Sequence, residues 1–98
     1  MRIVKRGRWR HDGSVEMPVD IVAFDFDWWH EAARAEGTLE PDEEPRPLGE
    51  NGYLYYVRFR RAGEQSEPTA VDSPGHETAA AAMADAQSQS PAPIRWNR

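Results

Sequence analysis

The densest group of reactive side chains lies in the run Asp25-Phe26-Asp27-Trp28-Trp29-His30-Glu31. Carboxylates two residues apart on a strand share one face and stand roughly 7 Å apart. Together with the imidazole of His30, Asp25 and Asp27 could hold a hard divalent cation that activates water. No second acidic or histidine pattern follows at ligand spacing, and Asp27 is equally suited to cap a helix. A metal-dependent hydrolase is therefore the third of three hypotheses, and the leading one has no metal and no cofactor.

Other catalytic arrangements find no support in the sequence. His11, His30 and His76 have no nucleophile or orienting acid at a recognisable spacing, and Gly-x-Ser-x-Gly is absent. The chain contains no cysteine, which excludes disulfides, thiolate nucleophiles and thiolate zinc sites. It also lacks a glycine-rich phosphate-binding loop. We therefore predict a protein without catalytic residues.

Basic side chains are concentrated in two segments that could bind a polyanion. Residues 1–11 carry five basic residues and no acid, and residues 51–61 combine three arginines with aromatic residues. An exposed Tyr56 could stack on unpaired bases while arginines contact phosphates. The second hypothesis is thus a single-stranded nucleic-acid binder with a basic, aromatic sheet face. Its residues are Lys5, Arg6, Arg8, Tyr56, Arg58 and Arg60.

The string from Asn51 to Phe59 partly resembles the signature of the RNA-recognition motif, whose strand aromatics stack on bases. That family has a basic residue before the glycine, where this chain has Asn51, and its aromatic spacing is shorter by one residue. The resemblance implies RNA binding on a sheet face. With these two departures, no functional residue is transferred from the family.

Acidic side chains dominate the middle of the chain. Residues 12–50 hold twelve acids against two arginines, and the formal net charge of the whole chain is -5. An acidic, proline-rich stretch and a tryptophan doublet offer an electrostatic handle and aromatic anchors for a partner. The first hypothesis is a small acidic cytoplasmic domain, not an enzyme, that binds another protein as an inhibitor, antitoxin-like neutraliser or regulator. The predicted contact residues are Glu40, Asp42, Glu43, Glu44 and Trp28.

Ninety-eight residues with 39% hydrophobic side chains are enough for one domain, residues 1–98, with one modest core. No run of the sequence has the length and apolarity of a signal peptide or a membrane-spanning helix, so we predict a cytoplasmic protein without a membrane partner. The chain is expected to be a monomer or a homodimer.

Turn signals in the first half predict a hairpin. Asp12-Gly13 favours a two-residue loop, which would pair Ile3 with Val22, Lys5 with Asp20 and Trp9 with Glu16. In that register Arg6, Arg8 and Arg10 share a face with an apolar row, unless the loop is longer than two residues. Pro18 lacks a backbone N–H, which predicts an edge strand or a bulge at that position.

Cap residues predict the helices. Asp27 and Gly37 bracket a helix over residues 28–36, and Ser73-Pro74 opens an alanine-rich helix over 74–89. Between them lies a loop rich in proline and glycine, residues 37–52. A strand over 53–61 follows, with Tyr53, Tyr55, Val57 and Phe59 on the core face. Short strands are expected near 69–72 and over 94–96.

These elements predict an α+β fold: a mostly antiparallel sheet of four or five strands with two helices packed on it, in the order ββαββαβ. From residue 19 onward the order is also compatible with a ferredoxin-like arrangement.

Overall fold

A computed structural model describes residues 1–60 and 70–97. The fold is α+β, with a four-stranded antiparallel sheet and two helices, so the predicted fold class is confirmed. The sheet order is β3-β2-β1-β4. The elements are β1 (Arg2–His11), β2 (Val15–Phe24), α1 (Trp28–Glu36), a short 3-10 turn (Glu50–Gly52), β3 (Leu54–Phe59), α2 (Ala79–Gln89) and β4 (Arg95–Trp96).

The β1–β2 turn is formed by the predicted dipeptide, but the register differs. Asp12 and Gly13 both have positive φ, 52° and 73°, and the N–H of Ser14 donates to the carbonyl of His11 at 3.1 Å. The strand ladder starts one residue later, with His11 opposite Val15. Ser14 is thus an extra residue between turn and ladder, and it shifts the pairing of the two strands by one.

The predicted pairs Lys5–Asp20 and Trp9–Glu16 are therefore wrong. The shifted register places Lys5 opposite Ile21 and Trp9 opposite Met17, until an irregularity between Ile3 and Lys5 restores the predicted Ile3–Val22 pair. Because a shift by one moves every side chain to the other face, it decides which residues the β1 arginines meet. Arg6, Arg8 and Arg10 lie opposite Asp20, Pro18 and Glu16, not beside an apolar row.

Pro18 lies in an inner strand, so the edge prediction is wrong. The register irregularity is in β1, not at Pro18. Pro18 lies just outside the β2–β3 ladder, whose last pair at this end is Val19 with Phe59. The N–H of Arg60 still donates to the carbonyl of Pro18 at 3.1 Å, so the proline removes only the reciprocal bond at the end of this ladder.

Strands β2 and β3 are buried on both faces of the sheet. On the face that we call the α2 face, Val19, Ile21, Ala23, Tyr55 and Val57 pack against Ala82 and Ala86 of α2. On the opposite α1 face, Val22, Leu54, Tyr56 and Val71 pack with Trp28 at the start of α1. The predicted core face of β3 is confirmed, but the other face of that strand is buried as well. Two small cores therefore share one sheet.

Local caps explain both helices, but α2 starts at a different cap from the predicted one. Asp27 accepts the N–H of His30 and Gly37 has φ 75°, so the predicted helix 28–36 is confirmed. Helix α2 begins after Thr78, whose hydroxyl accepts the N–H of Ala81 at 3.0 Å. The predicted start at Ser73-Pro74 is wrong because the Ser73 hydroxyl instead accepts the N–H of Val57 at 2.8 Å.

Residues 71–76 cover the outer edge of β3. Tyr55 and His76 exchange two backbone hydrogen bonds of 2.8 Å, and the N–H of Asp72 donates to the carbonyl of Val57. Residues 71 and 72 do not form the predicted strand, and Thr69 lies outside the described residues.

Strands β2 and β3, which α1 connects along the chain, pair directly and antiparallel. The ferredoxin-like alternative is excluded, since its β-α-β units are parallel.

Candidate functional site

Four exposed arginines form a surface that we call the arginine row: Arg6, Arg8 and Arg10 of β1, and Arg95 of β4. Alternate residues of a strand point to one face, so the three β1 members project together. Arg6 lies opposite Asp20, whose face is the α1 face, and Arg95 lies opposite Arg8. The row therefore occupies the open end of the α1 face, next to the sheet edge.

Strand β4 is fixed beside β1 by local contacts, which hold Arg95 in place. The N–H of Asn97 donates to the carbonyl of Arg6 at 2.8 Å. The side chain of Gln87 in α2 accepts the N–H of Ile94 at 2.9 Å. The indole of Trp96 lies over Gly7, where an added Cβ would come within 2.7 Å of the ring. Glycine at this position therefore lets the ring pack directly on the β1 backbone.

Acidic residues do little to neutralise the row. The Nε of Arg8 lies 4.0 Å from the Oε1 of Glu16, and both side chains are more than half exposed. Within the described part of the chain, Arg6, Arg10 and Arg95 form no ion pair. Arg8 and Arg95 stand directly opposite each other, and like charges in that position destabilise a sheet. Among residues 1–60 and 70–97, the positive charges of the row are therefore largely uncompensated.

A cavity of about 180 Å³ brings three members of the row together. Arg8, Arg10 and Arg95 line it with Glu16, and Trp9, Ala92 and Pro93 complete the lining. The buried indole N–H of Trp9 has no acceptor among the described residues. Because that N–H is shielded from solvent, the guanidinium groups alone favour an anionic ligand that can accept hydrogen bonds.

Two further arginines of the α1 face have a different environment. Arg58 and Arg60 surround the carboxylate of Asp20, which is 0% exposed. Asp20 Oδ2 lies 3.5 Å from the Nη2 of Arg58 and 2.9 Å from the Nε of Arg60. Arg58 is only 4% exposed. The prediction that Arg58 lies on an open nucleic-acid-binding surface is wrong, because its side chain is buried beside Asp20. Arg60 is largely buried too, and it contacts the same carboxylate.

Tyr56 and Lys5 also lie elsewhere than predicted. Tyr56 is fully buried, and its hydroxyl accepts the N–H of Trp28 at 2.8 Å. Burial raises the pKa of the Tyr56 hydroxyl, and the hydrogen bond from Trp28 offsets part of that rise. The prediction that Tyr56 is exposed and stacks on bases is therefore wrong. Lys5 lies opposite Ile21 on the α2 face, away from Arg6 and Arg8.

The proposed metal ligands hold the loop after α1 instead of converging. Asp27 accepts the N–H of His30 at 3.2 Å and that of Arg46 at 2.8 Å, so both of its oxygens are engaged. The Nε2 of His30 lies 3.2 Å from the carbonyl of Glu43, and Asp25 is exposed. In residues 1–60 and 70–97, no group of three or more histidines and acids is placed to hold a metal ion. Asp27 and His30 thus anchor the loop after α1, and Asp25 is exposed, so the predicted metal-binding trio is corrected.

The predicted acidic contact residues lie on an exposed loop. Glu40, Asp42, Glu43 and Glu44 are all exposed, and the N–H of Glu43 donates to the carbonyl of Glu40 in a turn. Trp28 is partly buried against the core of the α1 face. Trp29 is 47% exposed, although its indole N–H donates to the carbonyl of Ser73 at 2.8 Å. A role for these acids and for Trp28 in partner binding stays a prediction.

A scan against models of protein families, a search of curated proteins and a search of solved structures each found no significant match. None of the described helices has the length and apolar character needed to cross a membrane. The arginine row therefore has to be interpreted from its own chemistry.

Sequence reasoning identified half of the row. Arg6 and Arg8 are among the predicted residues. Arg10 is not, although it continues the same alternation and could have been found from it. Arg95 carried no local signal, because its place depends on β4 pairing with a strand more than eighty positions earlier in the chain.

Proposed function

We propose that the protein is a binding domain without enzymatic activity, and that the arginine row docks an acidic segment of another protein. One observation carries this proposal: exposed arginines stand side by side on adjacent strands, with Arg8 opposite Arg95, and the nearest carboxylate among the described residues is 4.0 Å away. Such an arrangement lowers stability unless an anion neutralises it. Residues that violate local stability rules are often functional.

A protein partner fits this surface better than a nucleic acid does. Proteins that bind single strands combine cationic residues with aromatic side chains on which bases stack. Tyr56, the aromatic residue expected on this face, is buried, and Trp9 and Trp96 pack against the core of the α2 face. A net charge of -5 also repels a long polyanion. A short acidic segment of a protein contacts the row alone.

Arginine-to-carboxylate contacts supply orientation and association rate as well as affinity. The acidic loop, residues 40–44, offers a second surface of opposite sign for the same partner or for a different one. Whether the domain inhibits, neutralises or regulates its partner is a finer prediction, and so is its cytoplasmic location.

The proposal is tested by titrating the protein with a fluorescent glutamate-rich peptide at low ionic strength and measuring anisotropy. We expect the variant with Arg6, Arg8 and Arg10 all changed to serine to bind about tenfold more weakly or worse, since each lost pair contributes up to about 1 kcal/mol. Arg2→Ser is the matched control: Arg2 is an exposed arginine of the same strand that lies opposite Ala23 on the α2 face.

Equal peptide affinity in the triple variant and in Arg2→Ser would contradict the proposal. So would tighter binding of an oligothymidylate than of the peptide at the same salt concentration, because that result would favour the nucleic-acid alternative. Thermal unfolding of each variant checks that a lost affinity does not reflect a lost fold.

A further inference from the structure

We infer that the segment bound by the arginine row is an extended chain with acidic residues at alternate positions. This inference rests on the proposed function, and it adds the pattern that the ligand must have. Arg6, Arg8 and Arg10 belong to one strand and point to one face. Their positions repeat every two residues, at roughly 6.6–6.8 Å.

An extended ligand has the same repeat. Its alternate side chains also stand roughly 6.6–6.8 Å apart on one side of the chain, so three alternate acids match three arginines without distortion. Consecutive acids fail this match, because every second carboxylate points away from the sheet. In a helix the acids would have to be three or four positions apart, at about 4.5–6 Å along the axis. The row therefore selects a sequence pattern, not merely a negative charge.

The middle acidic position of the ligand has the most favourable site. An acid opposite Arg8 is also beside Arg95, which is the cross-strand neighbour of Arg8. These two arginines and Arg10 line the same cavity of about 180 Å³, where they outnumber its one carboxylate, that of Glu16, which lies 4.0 Å from Arg8. The outer positions of the ligand, near Arg6 and Arg10, each have one arginine of β1 to contact. We therefore expect the central acid to contribute most to affinity.

The acidic loop of a second copy does not provide this pattern. Glu40, Asp42 and Glu44 alternate in sequence, but residues 40–43 form a turn closed by the N–H of Glu43 and the carbonyl of Glu40 at 3.1 Å. The Glu43 carboxylate also accepts the N–H of Glu40 at 3.2 Å. A turn does not keep the even repeat of an extended chain. The occupant that fits is a segment of a different protein.

The experiment compares two peptides of identical composition, each with three glutamates and four threonines. In one the glutamates alternate with threonine, and in the other they are consecutive. Anisotropy titrations at low ionic strength are expected to show about threefold to tenfold tighter binding of the alternating peptide, as if one or two more ion pairs form. Changing its central glutamate to glutamine should weaken binding more than changing either outer glutamate.

Arg95→Ser separates the central position from the rest without touching β1. In this variant the effect of the central glutamate should fall to that of an outer one, while the preference for the alternating peptide persists. Arg2→Ser should leave every ratio unchanged.

The outcomes distinguish the inference from the proposed function. Equal affinity for both peptides, lost from both in the triple serine variant, overturns the inference and leaves the proposed function standing. No binding of either peptide overturns both. Self-association of the free protein that the triple variant abolishes would assign the row to a second copy, and would also overturn the inference.

Discussion

Two groups of arginines lie on the same face of the same sheet and differ in almost every physical respect. Arg58 and Arg60 surround the buried carboxylate of Asp20, whereas the arginine row is exposed and, in the described part of the chain, has one ion pair of 4.0 Å, with Glu16. The side-chain chemistry is the same in both groups. Register alone does not explain the difference, since Arg6 lies opposite Asp20 just as Arg58 does. Arg58 and Arg60 are largely enclosed together with the Asp20 carboxylate, whereas the arginines of the row are exposed to solvent. An arginine's role in this domain is therefore decided by whether it is buried with a carboxylate.

Asp20 has an arginine directly opposite it on each of the two neighbouring strands. It lies opposite Arg58 of β3 on one side and opposite Arg6 of β1 on the other. Its carboxylate is turned to Arg58 and Arg60, so ion pairs link β2 to the end of β3, while Arg6 has no ion-pair partner among the described residues. Removing one partner of a buried ion pair is costly, because the remaining charge stays in a poorly solvated site.

The largest effect is expected for Asp20→Asn, which keeps the shape of the side chain and removes its charge. Two cations at a buried site then lose their carboxylate, and the free energy of unfolding should fall by about 3–5 kcal/mol. Urea unfolding followed by circular dichroism measures this change. Glu16→Gln removes the exposed carboxylate of the row and should cost less than about 1 kcal/mol.

If Asp20→Asn and Glu16→Gln had similar effects, the contrast between the buried and the exposed arginines would be wrong. A fall in the urea m-value of Asp20→Asn would instead indicate a loosened native state or a change in the denatured one.

The second prediction concerns Gly7→Ala, which tests what holds Arg95 beside Arg8. A methyl group at Gly7 would stand 2.7 Å from Trp96 Cε3 and 3.0 Å from Ile94 Cγ2, so the β4 side chains must move. Overpacking of this kind costs about 1–3 kcal/mol. Urea unfolding should show that loss. The affinity for a glutamate-rich peptide should fall as well, because displacing β4 takes Arg95 out of the row; unchanged affinity would show that Arg95 is not part of the surface.

Features that depend on neighbouring residues were predictable from the sequence. The caps Asp27 and Gly37 act within one helical turn, and the α1 boundaries followed from them. The start of α2 did not, because Ser73 bonds to Val57 of another strand and leaves the capping role to Thr78. The same distinction applies to the site. Alternation placed Arg6 and Arg8 together, whereas the burial of Arg58 depended on its pairing with Asp20 across β2 and β3, which no local pattern in the sequence indicates.

The ion pair of His76 and Asp85 is intermediate in solvent exposure between the buried pairs of Asp20 and the exposed pair of Arg8. It yields a prediction about the pH dependence of stability. Their nearest atoms are 2.7 Å apart and both side chains are about a fifth exposed. Burial opposes ionisation of Asp85, but hydrogen bonds from Gln89 and His76 and the charge of His76 hold the pKa of the carboxyl below its ordinary value of 3.8. The ionised form is thus favoured in the folded state, and this stabilisation is present above pH 3.8.

Asp85→Asn should therefore lower the free energy of unfolding at neutral pH by about 0.2–1 kcal/mol, the range of partly exposed pairs. As the pH falls through the lowered pKa of the folded protein, the wild type loses the same contribution and the difference should disappear. Thermal or urea unfolding across the acid range measures it. A difference that is constant down to the lowest pH would mean that packing, and not charge, explains the variant.

The smallest expected effect is a gain of stability, whereas the other variants lose stability. It therefore tests most directly whether the exposed arginines differ from Arg58 and Arg60. Arg95→Glu replaces a like-charge neighbour of Arg8 with an opposite one, so stability should rise by about 0.2–1 kcal/mol. The same change removes a cation from the row and places a carboxylate there, so affinity for an acidic peptide should fall. Gain of stability with loss of binding is the behaviour of a residue retained for function. If Arg95→Glu destabilised the protein, its position opposite Arg8 would be serving the fold, and the row would belong with Arg58 and Arg60 as a structural feature.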